Sequence, residues 1–202
     1  YVMLNVECTG KALAELEDVV KARSDYFETR DRDPSFIGCN RLEYGLFGQH
    51  RLDSRAPIAQ RVLSDVTALK QQLLAQSLPP EQLVSILVRN LNSLADVRAA
   101  SGKEERYSHL DLNGFAANLA ATRKVVELMR PLLTKSAADL LPGIDSAISA
   151  FAGQLDGLQV DGNYRTYDSV TADQRQQIAD KAKALASALD GIDPALGLTG
   201  LK

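Results

Sequence analysis

The residues best suited to chemistry lie in one short stretch, FIGCNRLEYGLFGQH, which spans residues 36–50. Asn40 and Glu43 are three positions apart, so on a helix they share one face and can converge on one ligand. Their oxygen atoms are hard donors, which suit iron, manganese, magnesium or calcium. Solvated or hydrogen-bonded pairs often have the same spacing, so this pair alone is a weak indication of a site.

A second concentration of polar residues, GKEERYSHLDL, spans residues 102–112. Ser108 and Asp111 fit a capping box ahead of an apolar helix, and there Asp111 would also complement the helix dipole. Glu7 is a further acid, interpreted either as the exposed member of an i, i+4 ion pair or as a carboxylate directed into a site. Metal sites in helical bundles use inward-facing carboxylates, so Glu7, Glu43 and Asp111 are the candidate ligands.

Other catalytic signatures are absent from the sequence. There is no H-E-x-x-H zinc motif, no P-loop and no dinucleotide-binding fingerprint. The chain has two histidines and two cysteines, so by count alone Cys39 could form a catalytic Cys–His pair with His50 or His109. No local signature of a nucleophilic cysteine accompanies either pair.

Composition excludes several classes of protein. The 202 residues are 45% hydrophobic and 24% charged with a net charge of −3, and no basic stripe indicates a nucleic-acid partner. No apolar run approaches the ~20 residues needed to span a membrane.

The chain starts at Tyr1 within an apolar run, which suggests a processed product. Cys8 and Cys39 could form a disulfide or remain two buried thiols, and composition leaves both alternatives open.

Apolar residues recur at helical spacing in seven segments, which predicts an all-α, up-and-down bundle of about seven helices. We expect one domain over residues 1–202. Pro131 is expected to kink or end its helix, and Thr171 with Gln174 predicts a capping box. The predicted helices are residues 1–28, 35–48, 57–76, 80–100, 109–133, 137–157 and 171–190.

Two runs carry a family resemblance. FIGCNRLEYGLFG resembles the G-x-H-x-x-E signature of the imelysin-like family, and KEERYSHLDLNGFAANLAATRKVVELMRPLL resembles a segment of the helical domain of EfeO-type iron-uptake proteins. The closing run YRTYDSVTADQRQQIADKAKALASAL also resembles part of that domain. The likeness covers most of the chain from Ser35 onward. The cupredoxin-like domain of many EfeO proteins is not in this sequence, so the likeness is to the shorter, EfeM-type form.

The resemblance implies a set of site residues. Asn40 stands where the family has its histidine, and its neutral amide oxygen is a weaker ligand for iron, copper or zinc than imidazole. The implied metal-binding residues are Glu43, Asp111, Asn40 and, on a looser match, Glu7. Arg41, Arg106 and Tyr107 match motif positions, and the two arginines would orient carboxylates around the metal.

The resemblance also implies a function. It indicates a bacterial periplasmic, monomeric iron-binding protein of an EfeUOB-type uptake system, either lipid-anchored before trimming or soluble. Such a protein acts with an inner-membrane iron permease and a haem-peroxidase-like protein. The ion would be iron or another divalent metal such as zinc, or no metal would bind. The alternative is a non-metal binding module, for example for an anionic polysaccharide. The family carries a metallopeptidase label, but Asn40 counts against catalysis and no catalytic residue is assigned.

A periplasmic location would also favour a disulfide between Cys8 and Cys39, which would tie the first helix to the motif helix. The competing hypothesis is that a thiol replaces the missing histidine as a ligand.

Overall fold

The structure of the protein is a computed structural model that describes residues 39–51, 56–74, 80–102 and 105–198. These residues are predominantly helical, which confirms the predicted all-α class. None of the described helices is long and apolar enough to cross a membrane. Within its described parts the chain divides into two compact units, residues 39–74 and residues 80–198. The expectation of one domain over residues 1–202 stays a prediction.

The first unit contains two helices. Helix α1, Cys39–Glu43, continues into a π-helical turn, Tyr44–Gly48, and α2 spans Ala56–Leu74. The motif helix ends at Gly48, as its sequence predicts, while its predicted start lies outside the described residues. Helix α1 packs against α2, whose Ile58 is half-buried.

The second unit begins with α3, Pro80–Ser93, which continues through a π-helical turn, Leu94–Arg98, into α4, Ala99–Ser101. Pro is tolerated in a first helical turn because its missing N–H has no intrahelical partner there. Gly102 follows with φ 56°, a left-handed conformation that ends the helix.

Helix α5, Asp111–Ser136, is the longest of the described helices, and a 3₁₀ turn, Ala138–Leu140, joins it to α6, Leu141–Asp156. Pro131 does not end its helix, which was one of the two predicted outcomes, because α5 continues for five residues beyond it. Pro131 is exposed, so water can satisfy the carbonyl group that loses its N–H partner. Arg130, just before it, is also bound to Asp145 of α6 at 2.6 and 3.1 Å.

A short hairpin follows α6. Strands β1, Gln159–Val160, and β2, Asn163–Tyr164, pair in antiparallel register, with Gln159 opposite Tyr164. Asp161 and Gly162 connect them with φ of 51° and 77°, the left-handed pair that a two-residue hairpin turn requires. The sequence predicts only irregular structure here, and strands of two residues leave the fold class unchanged.

The last elements are a 3₁₀ turn, Tyr167–Ser169, then α7, Ala172–Asp190, and α8, Ile192–Ala195. The predicted capping box is confirmed: Gln174 N donates to Thr171 Oγ1 at 3.2 Å, and Thr171 N donates to Gln174 Oε1 at 3.1 Å. Helix α7 packs against α3 and α6, and α5 packs against α6. The core they enclose includes fully buried side chains, each worth about 1.5–3 kcal/mol, among them Leu91, Phe115, Leu133, Phe151, Ile178 and Leu185.

Candidate metal site and its supporting residues

Glu43 is the buried acid of the first motif, which we call the Glu43 segment, residues 39–51. It ends α1, directly before the π-helical turn, and is only 8% exposed. That turn is closed by a bond from Gln49 N to Tyr44 O at 2.8 Å. Burial of a carboxylate is costly unless hydrogen bonds, an opposite charge or a metal ion stabilise it. The predicted role of Glu43 as a metal ligand stays a prediction.

The described contacts of Arg41 are local. Its guanidinium carbon lies 5.5 Å from the centre of the Tyr44 ring, and Nη1 donates to Gln49 Oε1 at 3.4 Å. These contacts tie Arg41 to the turn that follows α1. Its predicted role in orienting a carboxylate stays a prediction.

Four predicted positions fall wholly or partly outside the described residues. Glu7 and Cys8 precede residue 39, and only the backbone of Cys39 and Asn40, at the start of α1, is described. The disulfide between Cys8 and Cys39, the thiol ligand and the metal-binding roles of Glu7 and Asn40 therefore remain predictions.

Asp111 is the buried acid of the second motif, which we call the Asp111 turn, residues 105–111. The backbone turns through a bond from His109 N to Glu105 O at 2.8 Å, and His109 has φ 55°. Asp111 then forms the first residue of α5 with 0% exposure. The amide dipoles at this helix end favour a nearby negative charge.

The capping register differs from the one that the sequence predicts. Leu110 is the residue before α5, so Asp111 is the first helical residue, whereas a capping box begun by Ser108 would make it the third. The left-handed φ of His109 explains the later start, because such a residue cannot belong to a right-handed helix. Arg106 is exposed and Tyr107 is half-buried, and their predicted supporting roles stay predictions.

Tyr167 holds the Asp111 turn, and sequence analysis assigned it no role. It is 1% exposed, its hydroxyl donates to Ala99 O, and its backbone N donates to His109 O at 2.8 Å. Its ring meets that of Phe115 edge-on, with 5.6 Å between centroids. The sequence offers one signal of this role, a tyrosine in a polar loop directly before a capping box. If such a tyrosine is buried, its hydroxyl usually requires a hydrogen-bond partner.

A polar network inside the second unit was also missed. Arg98, which ends the π-helical turn, is 8% exposed and donates to Asn90 O at 2.6 Å and to the Asn90 side-chain oxygen. Asn90 donates in turn to Asn118 Oδ1 of α5 at 3.0 Å, and Thr122 donates to Asn118 O at 2.9 Å. π-Helical turns are frequent at functional sites, and this one places a cation within the helical bundle. The sequence signal of this network was the presence of two polar residues, Asn90 and Asn118, within amphipathic helices.

A cavity of about 350 Å³ lies beside the Asp111 turn. It opens between the turn, the first residues of α5 and the hairpin, so the approach to this motif is concave. Its lining residues are Glu105, Leu110, Asn113, Gly114, Asn163 and Tyr164.

An acid near the turn, Asp168, has a shifted pKa. The pKa of Asp168 is lowered, first by a hydrogen bond from Thr166 and then by the nearby His109.

Across residues 39–51, 56–74, 80–102 and 105–198, no group of three or more His, Cys, Asp or Glu side chains could hold a metal ion. The predicted ligand set includes Glu7, which is outside those ranges.

Comparison with known proteins identifies the family of this chain. The imelysin family model matches residues 9–192 of this chain. The chain belongs to the imelysin family. It is 31% identical over 193 residues to the iron uptake system component EfeO of Escherichia coli K12 and to that of Shigella flexneri, and 30% identical to that of Shigella boydii serotype 4. Each alignment covers 96% of this chain and 51% of the relative, so this imelysin-family chain spans about half the length of those proteins.

Proposed function

We propose that this imelysin-family chain is a periplasmic, metal-binding component of an iron uptake system. The observation that carries the proposal is Asp111, a fully buried carboxylate at the start of α5, within the segment that resembles EfeO-type domains. An ionised carboxylate at a helix N-terminus is a hard oxygen donor, the kind that binds iron. Membership of the imelysin family and the identity to proteins named as iron uptake components support this assignment.

The proposed ligands are the carboxylates of Glu43, Asp111 and Glu7, with Asn40 at the position of the family histidine. Glu43 shares with Asp111 the property of a buried acid within a motif segment. An amide oxygen donates less strongly than imidazole, so we expect weaker binding than in relatives that keep the histidine. The bound iron is the transported cargo. The proposed partners are a membrane iron permease and a haem-peroxidase-like protein.

The test is calorimetric titration of ferrous, ferric and zinc ions into five proteins: wild type, Glu43→Gln, Asp111→Asn, Glu127→Gln and Asp156→Asn. The last two are matched controls, because Glu127 and Asp156 are exposed acids that bind Lys124 and Gln159. We expect the dissociation constant for iron to rise at least about tenfold in each motif variant, since even supporting residues of a metal site are worth that much.

Equal, weak iron binding by all five proteins would contradict the metal assignment. Chelator-sensitive hydrolysis of casein by wild type, lost in Glu43→Ala, would favour the metallopeptidase alternative instead.

A further inference from the structure

One residue contacts the chain on both sides of Asp111. Tyr167 N donates to the carbonyl oxygen of His109, two positions before Asp111, at 2.8 Å. The Tyr167 ring packs at an interplanar angle of 87° against Phe115, one helical turn after Asp111. The backbone on both sides of Asp111 is therefore held by Tyr167: its backbone N–H binds before Asp111, and its side chain packs after it.

Arg175 fixes Tyr167 in turn. Its guanidinium carbon lies 4.6 Å from the centre of the Tyr167 ring, Nη2 donates to Tyr167 O at 2.9 Å and Nε donates to Val170 O at 3.1 Å. A planar guanidinium that stacks and donates in two directions fixes orientation in a way that an ammonium group cannot. Because Arg175 lies in the first turns of α7, directly after the capping box, its own backbone is well anchored.

The Tyr167 ring is also constrained by residues at the end of α4. Its hydroxyl donates to Ala99 O, near the end of α4. A Cβ atom built on Gly102 would lie 2.5 Å from a ring carbon of Tyr167, so only glycine fits there. The ring thus fills a closed space between α4, α5 and Arg175.

We propose that Tyr167 and Arg175 form a clamp that positions the Asp111 carboxylate for metal binding. This inference rests on the proposed function and deepens it, because it assigns two positioning residues that lie more than 50 positions from Asp111. Metal sites depend on such supporting residues, whose loss typically lowers metal affinity about 10- to 100-fold.

The test compares Tyr167→Phe and Arg175→Lys with two matched controls, Thr134→Val and Arg123→Lys. Tyr167→Phe removes the hydroxyl that donates to Ala99 O, and Arg175→Lys keeps the charge while removing the fixed geometry. Both control residues are exposed on α5, and Thr134→Val removes a hydroxyl that donates to a backbone carbonyl, Arg130 O, at 2.8 Å. All four substitutions are conservative, and amides of α6 report whether the protein remains folded.

Two quantities are measured on each protein. Hydrogen exchange by NMR reports on the amides of His109 and Tyr167, which are bonded to Glu105 O and His109 O. Calorimetry gives the dissociation constant for ferrous iron. In both clamp variants we expect exchange at these two amides to be about tenfold faster and the dissociation constant about tenfold higher. The controls should match wild type.

The outcomes separate this inference from the proposed function. Unchanged exchange at both amides would overturn the clamp. Faster exchange with unchanged iron affinity would overturn its positioning role, since the contacts would then be structural only. A wild-type protein that binds no iron would overturn the proposed function, and the positioning role with it, whatever the exchange rates.

Discussion

The Glu43 segment and the Asp111 turn each present one buried acid, but they hold it differently. In the Glu43 segment, the contacts of Arg41 with Tyr44 and Gln49 span no more than eight positions. In the Asp111 turn, a local bond from His109 N to Glu105 O is joined by contacts from Tyr167, more than 50 positions further along the chain. The comparison teaches that a short motif can be supported by its own turn or by distant tertiary contacts, and only the first kind can be read from the motif itself.

The largest expected difference concerns the aromatic residue beside each acid. Phe115 is fully buried against Tyr167, whereas Phe47 is 44% exposed. We expect Phe115→Ala to lower the free energy of unfolding by about 3–5 kcal/mol, because it leaves a cavity in a packed core. Phe47→Ala should cost about 1 kcal/mol or less. Urea denaturation followed by circular dichroism measures both, and equal losses would break the comparison.

A second test uses two glycines of the second unit. Gly102 has a left-handed φ and faces the Tyr167 ring, while nothing lies within 4 Å of a Cβ atom added to Gly143 of α6. Gly102→Ala should lower the free energy of unfolding by about 2–3 kcal/mol, through backbone strain and overpacking. Gly143→Ala should raise it by up to about 1 kcal/mol, because alanine favours a helix. A neutral Gly102→Ala, measured by urea denaturation, would show that the ring is loosely held.

A third test restores the family residue to the Glu43 segment. Asn40→His replaces an amide with imidazole, a stronger ligand for iron and zinc. We expect the dissociation constants for ferrous iron and zinc to fall by roughly tenfold, and titration calorimetry measures them. Asn92→His, on the half-exposed surface of α3, is the control. An unchanged affinity in Asn40→His would remove this position from the proposed ligand set.

The smallest expected effect concerns an ion pair away from both motifs. Arg130 donates to Asp145 and lowers the pKa of that carboxyl, so the folded protein releases this proton more readily than the unfolded chain. The pair therefore stabilises the fold above the ordinary pKa of aspartate, and its contribution disappears as the pH falls through the lowered pKa. Because the pair is half-exposed, Arg130→Gln should lower the melting temperature by no more than about 2 °C at pH 7. The difference from wild type should shrink as the pH falls below the ordinary pKa of aspartate, and a difference that does not shrink would contradict this assignment.

Features that depend on neighbouring residues were predicted well. The helical segments follow from apolar periodicity, and the Thr171–Gln174 capping box follows from a spacing of three residues. The end of the motif helix at Gly48 was also local. These predictions succeed because each depends on groups within one or two turns of chain.

Features that depend on distant contacts were missed. Nothing near Tyr167 in the sequence indicates that its hydroxyl binds Ala99, 68 positions earlier, and nothing near Asn90 indicates Asn118, 28 positions later. The start of α5 was placed too early because a left-handed His109 is set by the bonds of its backbone to Glu105 and Tyr167. The motifs thus located the candidate acids, and the tertiary structure showed that Tyr167 contacts the Asp111 turn.

The central claim is that this imelysin-family chain binds iron through its buried motif acids. The most direct test is an anomalous difference map, recorded at the iron absorption edge, from crystals grown with ferrous iron under anaerobic conditions. The account predicts a peak within coordination distance of an Asp111 carboxylate oxygen, which disappears in Asp111→Asn and persists in Asp156→Asn. Iron peaks only at surface carboxylates, or none at Asp111, would contradict it.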